Sequence, residues 1–417
     1  MGSVSFCLVT TFYPPASFGG DAVHVRRLAR CLARRGHRVR VVHNPTAYRM
    51  LGGRAADPPT ADPGVEVVPG PAGVLGTAAT YLTGLPVAQR GELARLTSGF
   101  DVVHFHNPSL LGGPGGLSVG DALRLYTTHE HWLLCPTHVL FRFEREVCEQ
   151  RTCFRCTLSY HRPPQLWRST RLMERSVSGL DVLLCPSRFT AALHRAEFPE
   201  ARIEVLPLPG PEPGEDPTDG DEPDPARPFF LYAGRLEAIK GVDSLIRAFA
   251  GLEGADLLIA GDGSLSAELR ELAAGQPHVR FLGRVQHGRL LALCRRARAV
   301  VVPSVGYETF GGVAVEAMAN GSPVVVRRLG PLPELVEDGG GLTFDGDDDL
   351  TRVLQRLVDD PGEANRLGSA ARQVAADRFG EARFMARYFE IIASFAFERG
   401  LGSLADRAEA ASRAEAS

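Results

Sequence analysis

Lysine is almost missing from this 417-residue chain: one lysine stands against 45 arginines. Basic positions have been driven toward arginine, so the surviving Lys240 asks for a reason. Lysine is a compact point charge, whereas arginine is a planar fork, and a tight phosphate site can require the former. A chance survivor is the alternative. Long apolar runs are also missing. The longest, such as Ala299–Pro303 and Pro323–Val326, are strand-sized, far short of the roughly 20 residues that cross a bilayer. Residues 1–10 carry no basic leader or cleavage-like site, so no signal peptide is expected. No G-x-G-x-x-G opens a strand–helix turn, which argues against a dinucleotide oxidoreductase. Eight cysteines in a chain read as cytoplasmic are expected to stay reduced.

The composition is that of a globular protein long enough for two cores. The net charge of −3 hides an asymmetry. Residues 1–207 carry 23 basic against 16 acidic side chains, and residues 208–417 carry 23 against 33. Arg26, Arg30 and Arg34 recur along one face of a first helix. They suit either a solvated face or peripheral contact with an acidic membrane. No nucleic-acid partner is expected.

Apolar strand-like runs alternate with amphipathic segments, the pattern of an α/β fold with open sheets. Ser5–Thr10 reads as a first strand, Ser17–Gly20 as a glycine-bearing loop, and Asp21–Arg35 as a helix closed by Gly36. Further strands are expected at Val65–Val68, Val102–Phe105, Arg124–Thr128 and Val182–Cys185. Residues 208–228, rich in proline, glycine and acids, read as a linker. Alternation resumes at Phe229–Ala233 and continues through Leu257–Ala260, Val279–Leu282, Ala299–Val302 and Pro323–Val326. The expected division is an N-terminal domain over 1–207 with a cysteine-bearing insertion near 135–160, and a second domain over 229–381. Residues 382–417 hold a late helix and a tail expected to fray after Gly402.

The chemistry concentrates in the second half. A strand ends at Val302, a loop follows, and a helix is expected from near Gly311 to about Asn320. Glu308, Thr309, Phe310, Gly311 and Gly312 sit at that junction, where bare backbone at a helix start can donate to an anionic or hydroxyl-rich ligand. Glu308 precedes the helix and Glu316 lies within it, so the two carboxylates can serve different parts of one extended ligand. A glutamate can accept from vicinal hydroxyls, as in ribose recognition; a helix-dipole acid and a surface glutamate are the alternative. Gly234-Arg235 and Lys240-Gly241 follow another strand. Arg235 and Lys240 together can neutralise a diphosphate leaving group. Gly261-Asp262-Gly263 ends a third strand with residues suited to close backbone approach.

These segments, with Pro303-Ser304 and Glu308 through Glu316 followed by Ala317-Met318-Ala319, resemble retaining glycosyltransferases of family four with the GT-B fold. The resemblance implies two Rossmann-like domains facing a cleft, with the terminal helix packing back on the first. It implies a hexosyltransferase-like enzyme that moves a sugar from a nucleotide-sugar donor to a small-molecule or glycan acceptor, with no cofactor required for catalysis. Arg235 and Lys240 would bind the donor diphosphate, Glu316 the ribose, and Glu308 with the backbone of Phe310–Gly312 the sugar. Arg284 and Val285 would lie by the base. Gly19 and Gly20 would approach the diphosphate and sugar, and His129 would reach the sugar from the first domain. The chain departs from the family at Gly330-Pro331-Leu332-Pro333-Glu334, where two glycines are usual before Leu-Pro-Glu. A GT-B epimerase or phosphorylase, or a non-catalytic binder, are the alternatives.

In the family's front-face route the acceptor attacks the face from which the nucleoside diphosphate leaves, so no protein nucleophile is needed. Cys135, Cys148, Cys153 and Cys156 lie within 22 residues and suit a structural zinc; reduced thiols or a redox pair are the alternative. The insertion also holds Arg142, Arg145, Arg151, Arg155 and His161, and since the resemblance implies that the first domain binds acceptors, it is a candidate acceptor wall or lid.

Overall fold

A computed structural model describes residues 2–53, 62–71, 73–87, 89–211 and 227–416. The chain forms two compact units. One comprises Met1–His138, Thr152–Leu206 and Ala382–Ser417; the other comprises Val139–Arg151 and Pro207–Glu381. Most of the expected linker lies outside the described residues.

Strands follow in chain order as β1 (Ser5–Thr10), β2 (Arg38–His43), β3 (Val65–Pro69), β4 (Val102–Asn107), β5 (Leu123–Thr127), β6 (Phe141–Arg142), β7 (Glu146–Val147), β8 (Val182–Cys185), β9 (Ile203–Val205), β10 (Phe229–Ala233), β11 (Asp256–Ala260), β12 (Val279–Gly283), β13 (Ala299–Val302), β14 (Val324–Arg327) and β15 (Gly341–Phe344). The first unit holds a parallel sheet in the order β3-β2-β1-β4-β5-β8-β9. The second holds a parallel sheet in the order β12-β11-β10-β13-β14-β15. Strand order reverses between β1 and β4 in one sheet and between β10 and β13 in the other. Ligands of open α/β sheets bind outside the carboxyl ends of strands at such reversals.

Both sheets are covered on two faces, which is why central strands such as β1, β10, β11 and β13 are apolar runs rather than alternations with polar residues. In β10, Phe229, Leu231 and Ala233 enter one core while Phe230 and Tyr232 enter the other. In β1, Phe6 and Leu8 face one core while Cys7 and Val9 face the opposite one.

The helix Glu381–Glu398 belongs to the first unit from Ala382 on. Phe384, Met385, Tyr388, Phe389, Ile392 and Phe395 recur at helical spacing and pack with Val4, Phe6 and Leu8. Each such side chain gains roughly 1.5–3 kcal/mol on full burial. The tail expected to fray is instead a helix, Gly402–Ala416. Leu404, Ala405 and Ala408 join the same core, so tertiary burial orders it.

The cysteine-bearing insertion is divided between the units. Its hairpin, β6 and β7, clusters with the second unit rather than the first. A Cβ on Gly306 would meet Ile239 and Phe141 within 3.0 Å, so the hairpin packs against the loop that leads to Glu308. Phe143 and Glu144 both have positive φ, the backbone of a type I′ hairpin turn.

Candidate functional site

At the reversal in the second sheet, β10 leads into Gly234–Lys240 and β13 into Pro303–Phe310. Gly234 N–H donates to the Ala260 carbonyl at 3.0 Å, and Leu236 N–H to Asp262 at 3.1 Å. The loops after β10 and β11 are thus pressed together. A Cβ on Gly261 would lie 1.8 Å from the Gly234 carbonyl oxygen, and one on Gly263 would lie 2.4 Å from that of Leu236. These glycines are required by contact inside the protein, whatever else approaches them.

Lys240 ends a 3-10 turn and Gly241 follows with φ +63. A Cβ at Gly241 would lie 2.4 Å from the Pro303 carbonyl oxygen, and Val305 N–H donates to Ile239 at 2.9 Å. This close approach delivers the lysine to its partner. Lys240 Nζ donates to Glu308 Oε1 at 2.7 Å, and Ser304 Oγ donates to the same oxygen at 2.6 Å. Both members of the ion pair are about one-fifth exposed (21% and 20%). Burial pushes the Glu308 carboxyl up, but the Lys240 charge, the bonds from Lys240 and Ser304, and the Arg235 charge outweigh it. The net effect holds it below the usual carboxylate value, and Glu308 is an anion at neutral pH.

Arg235 does not join that pair directly. Its guanidinium donates to Glu237 at 2.7 Å on an exposed rim, while Tyr232 Oη donates to its carbonyl at 2.8 Å. Arg284 is 88% exposed and lies 4.0 Å from Asp262. Val285 is partly buried against the core. Phe310 is a core residue, edge-on to Phe379 at 5.7 Å. Gly311, at φ +97, caps the helix Gly312–Ala319. Glu316 is half-buried within that helix, where its charge acts on Cys294.

At the reversal in the first sheet, Gly19 caps the helix Gly20–Arg34 in extended conformation. A Cβ on Gly20 would meet nothing within 4 Å, and one on Gly19 only Asp21 Oδ1. Among the described residues nothing requires these two glycines, which leaves their backbone open to an approaching ligand.

His129 follows β5 and lies among other imidazoles. Its Nε2 and His106 Nδ1 are 2.9 Å apart, and the His24 ring centre lies 4.9 Å from its own. His104 is held between Tyr388 Oη at 2.9 Å and Thr127 Oγ1 at 2.8 Å. Burial holds His24, His104 and His106 well below the usual imidazole value. Burial also lowers His129 to about 4 against the opposing charge of Asp21. All four rings are neutral at pH 7.

The sequence pattern singles out His129 and does not point to His24. A signal existed for the pair in β4. Residues two apart on a strand share a face, and the ring centres of His104 and His106 are 4.0 Å apart.

The four cysteines read as a zinc set are divided between the units. Cys135, Cys153 and Cys156 belong to the first unit and Cys148 to the second. Cys7, Cys135, Cys185 and Cys294 are outside disulfides. The basic face of the first helix is also not simply solvated, since Arg26 pairs with buried Asp62 at 2.8 Å. Among the described residues no helix is long and apolar enough to cross a membrane.

Comparison with known proteins covers both units. The family model described as Glycosyltransferase Family 4 matches residues 18–209, and that described as Glycosyl transferases group 1 matches residues 219–374. The chain is 30% identical over 405 residues to a D-inositol 3-phosphate glycosyltransferase from Xylanimonas cellulosilytica, covering 87% of this chain and 88% of that one. Among solved structures it is similar to sucrose-phosphate synthase from Thermosynechococcus elongatus, with TM-score 0.71 at 21% identity over 93% of this chain and 98% of that one. It is also similar to the Anabaena protein HepE in complex with UDP and glucose, with TM-score 0.65 at 18% identity over 94% and 100%.

Proposed function

The chain belongs to the family-four glycosyltransferases of the GT-B fold, and on that premise we propose that it transfers a hexose from a nucleotide-sugar donor, with retention, to a small-molecule or glycan acceptor. The observation that carries the donor reading is the Lys240–Glu308 pair at the reversal of the second sheet. A lone buried cation would attract any anion. Here the cation is tied to a carboxylate that Ser304 also holds, so charge and hydroxyl recognition are offered side by side.

In this reading Lys240, with Arg235 drawn from its rim pairing, binds the donor diphosphate. Glu308 accepts from hydroxyls of the sugar, helped by the backbone N–H groups of Phe310–Gly312 at the helix start. Glu316 accepts from the ribose, and Arg284 and Val285 border the base. Gly19 and Gly20 give the diphosphate and sugar an unobstructed backbone, and neutral His129 hydrogen-bonds the sugar. The bond from the sugar's anomeric carbon to phosphate oxygen breaks as the acceptor oxygen bonds on the same face. The acceptor proton passes to the departing phosphate oxygen. Charge grows on that leaving group, where Lys240 and Arg235 stabilise it. The hairpin β6–β7, packed beside the Glu308 loop, serves as an acceptor wall.

The test is nucleoside diphosphate release from a panel of nucleotide sugars, UDP-sugars included, with thermal stabilisation read in parallel. Acceptors begin with D-inositol 3-phosphate, after the relative's name, and extend to unphosphorylated sugars. Release by wild type and its loss in Lys240→Ala is the expected result. A folded protein that no nucleotide or nucleotide sugar stabilises sinks the proposal.

A further inference from the structure

His24, His106 and His129 come from a helix, a strand end and a loop far apart in sequence, yet one ring nitrogen of each lies within 4.8 Å of the others. Their ring centres are 4.9, 5.2 and 6.2 Å apart. Three imidazoles around a tetrahedral ion, with metal–nitrogen bonds of about 2.0–2.1 Å, put ring centres roughly 5 Å apart. The cluster therefore stands near ligation geometry before any ion enters. His106 Nε2 is sealed from solvent without a hydrogen-bond partner, an unusual condition for a buried polar atom. An outer carboxylate is in place as well: Asn107 Nδ2 donates to Asp21 at 3.2 Å, and the Asp21 charge acts on His129.

We propose that His24, His106 and His129 form a site for one divalent transition-metal ion of the zinc type, with a fourth position open to water or a ligand oxygen. Three neutral imidazoles suit zinc, cobalt, nickel or copper and disfavour magnesium and calcium, which take oxygen ligands. The site lies wholly in the first unit and is separate in kind from the cysteine cluster. Its consequence for transfer rests on the reading of His129 as the sugar contact. An ion that holds His129 withdraws it from the donor, so metal inhibits and a chelator restores activity.

The experiment titrates chelator-stripped full-length protein with cobalt(II) and follows visible absorption. The expected result is one cobalt per chain with the spectrum of tetrahedral nitrogen and oxygen ligation, lacking thiolate charge-transfer bands. Loss of outer-shell partners typically weakens metal sites 10–100-fold, so His24→Ala and His106→Ala, each losing a direct ligand, should weaken binding by at least about a hundredfold. A Cys153→Ser/Cys156→Ser variant should retain it. Absence of stoichiometric binding by wild type overturns the proposal, as does a thiolate spectrum, and both readouts stand even if a histidine variant fails to fold. Tight binding without inhibition of transfer leaves the metal site intact and defeats the reading of His129.

Discussion

The two sheet reversals are built on opposite electrostatic principles. The second unit gathers charge: Lys240 and Glu308 meet at 2.7 Å, and glycines let two loops press together so that they can. The first unit gathers polar groups and removes their charge: four imidazoles lie close together and burial keeps every one neutral. One edge is equipped to stabilise an anion, the other to hydrogen-bond an uncharged partner or to bind a metal. The units also differ in how they are completed. The first closes its core with a helix from the far end of the chain, whereas the second is almost one continuous segment with the hairpin added.

The largest expected effect tests that closure. Phe389→Ala removes a fully buried ring from the first core and should cost about 3–5 kcal/mol. Trp132 and Trp167, the only tryptophans, are both in the first unit, so tryptophan fluorescence during denaturation follows that unit alone. A transition that stays where it was would mean the terminal helix adds little.

Lys240→Ala should lower transfer by about 10²–10³-fold, or 2.7–4 kcal/mol, the scale of removing one donor to a developing oxyanion. It should leave the tryptophan transition in place. Lys240→Arg then separates charge from shape, since a planar fork does not reproduce a point charge. Unchanged turnover in Lys240→Ala removes the donor role whatever the fold.

Two glycine substitutions sharpen the contrast. Gly261→Ala drives a Cβ into the Gly234 carbonyl at φ +143 and should cost roughly 1–3 kcal/mol through backbone strain. Gly20→Ala meets no atom and should leave thermal stability unchanged while weakening donor stabilisation of the fold. Equal melting temperatures for the two variants would erase the distinction between glycines that packing requires and glycines that it does not.

The smallest effect is in pH dependence. His43 and His194, both in the first unit, are lowered by burial to about 4 from an ordinary 6.5. Between those values the unfolded chain binds more protons than the folded one, so stability is full above about pH 6.5 and declines as pH falls toward 4. At pH 5.5 each contributes a loss of about 1 kcal/mol relative to pH 7.5. His194→Gln should flatten the chelated protein's tryptophan-monitored profile by that amount. Glu308, held low, gives up its share only as pH falls below the ordinary value of 4.5, so it adds nothing to the response in the higher window.

Much of the fold was legible because buried parallel strands announce themselves as short apolar runs. The exceptions have physical causes. Ile203–Val205 and Gly341–Phe344 are short and half-exposed, so their patterns are weak. Gly402–Ala416 carries few apolar residues, and its helix depends on where Leu404, Ala405 and Ala408 land. The insertion read as part of the first domain is split because Phe141 of β6 packs beside Gly306, a contact no local signal encodes.

At the candidate site, the sequence determined which groups stand at strand ends: Lys240, Arg235 and Glu308 in one half, Gly19, Gly20 and His129 in the other. Strand period and loop position settle that much. Only the tertiary structure decided their company. Lys240 found Glu308 rather than Arg235 because the Gly241 turn presses on Pro303. His129 joined His24 and His106 because helix, strand and loop converge at one sheet reversal. Partners remote in sequence are chosen by packing, and local chemistry cannot name them in advance.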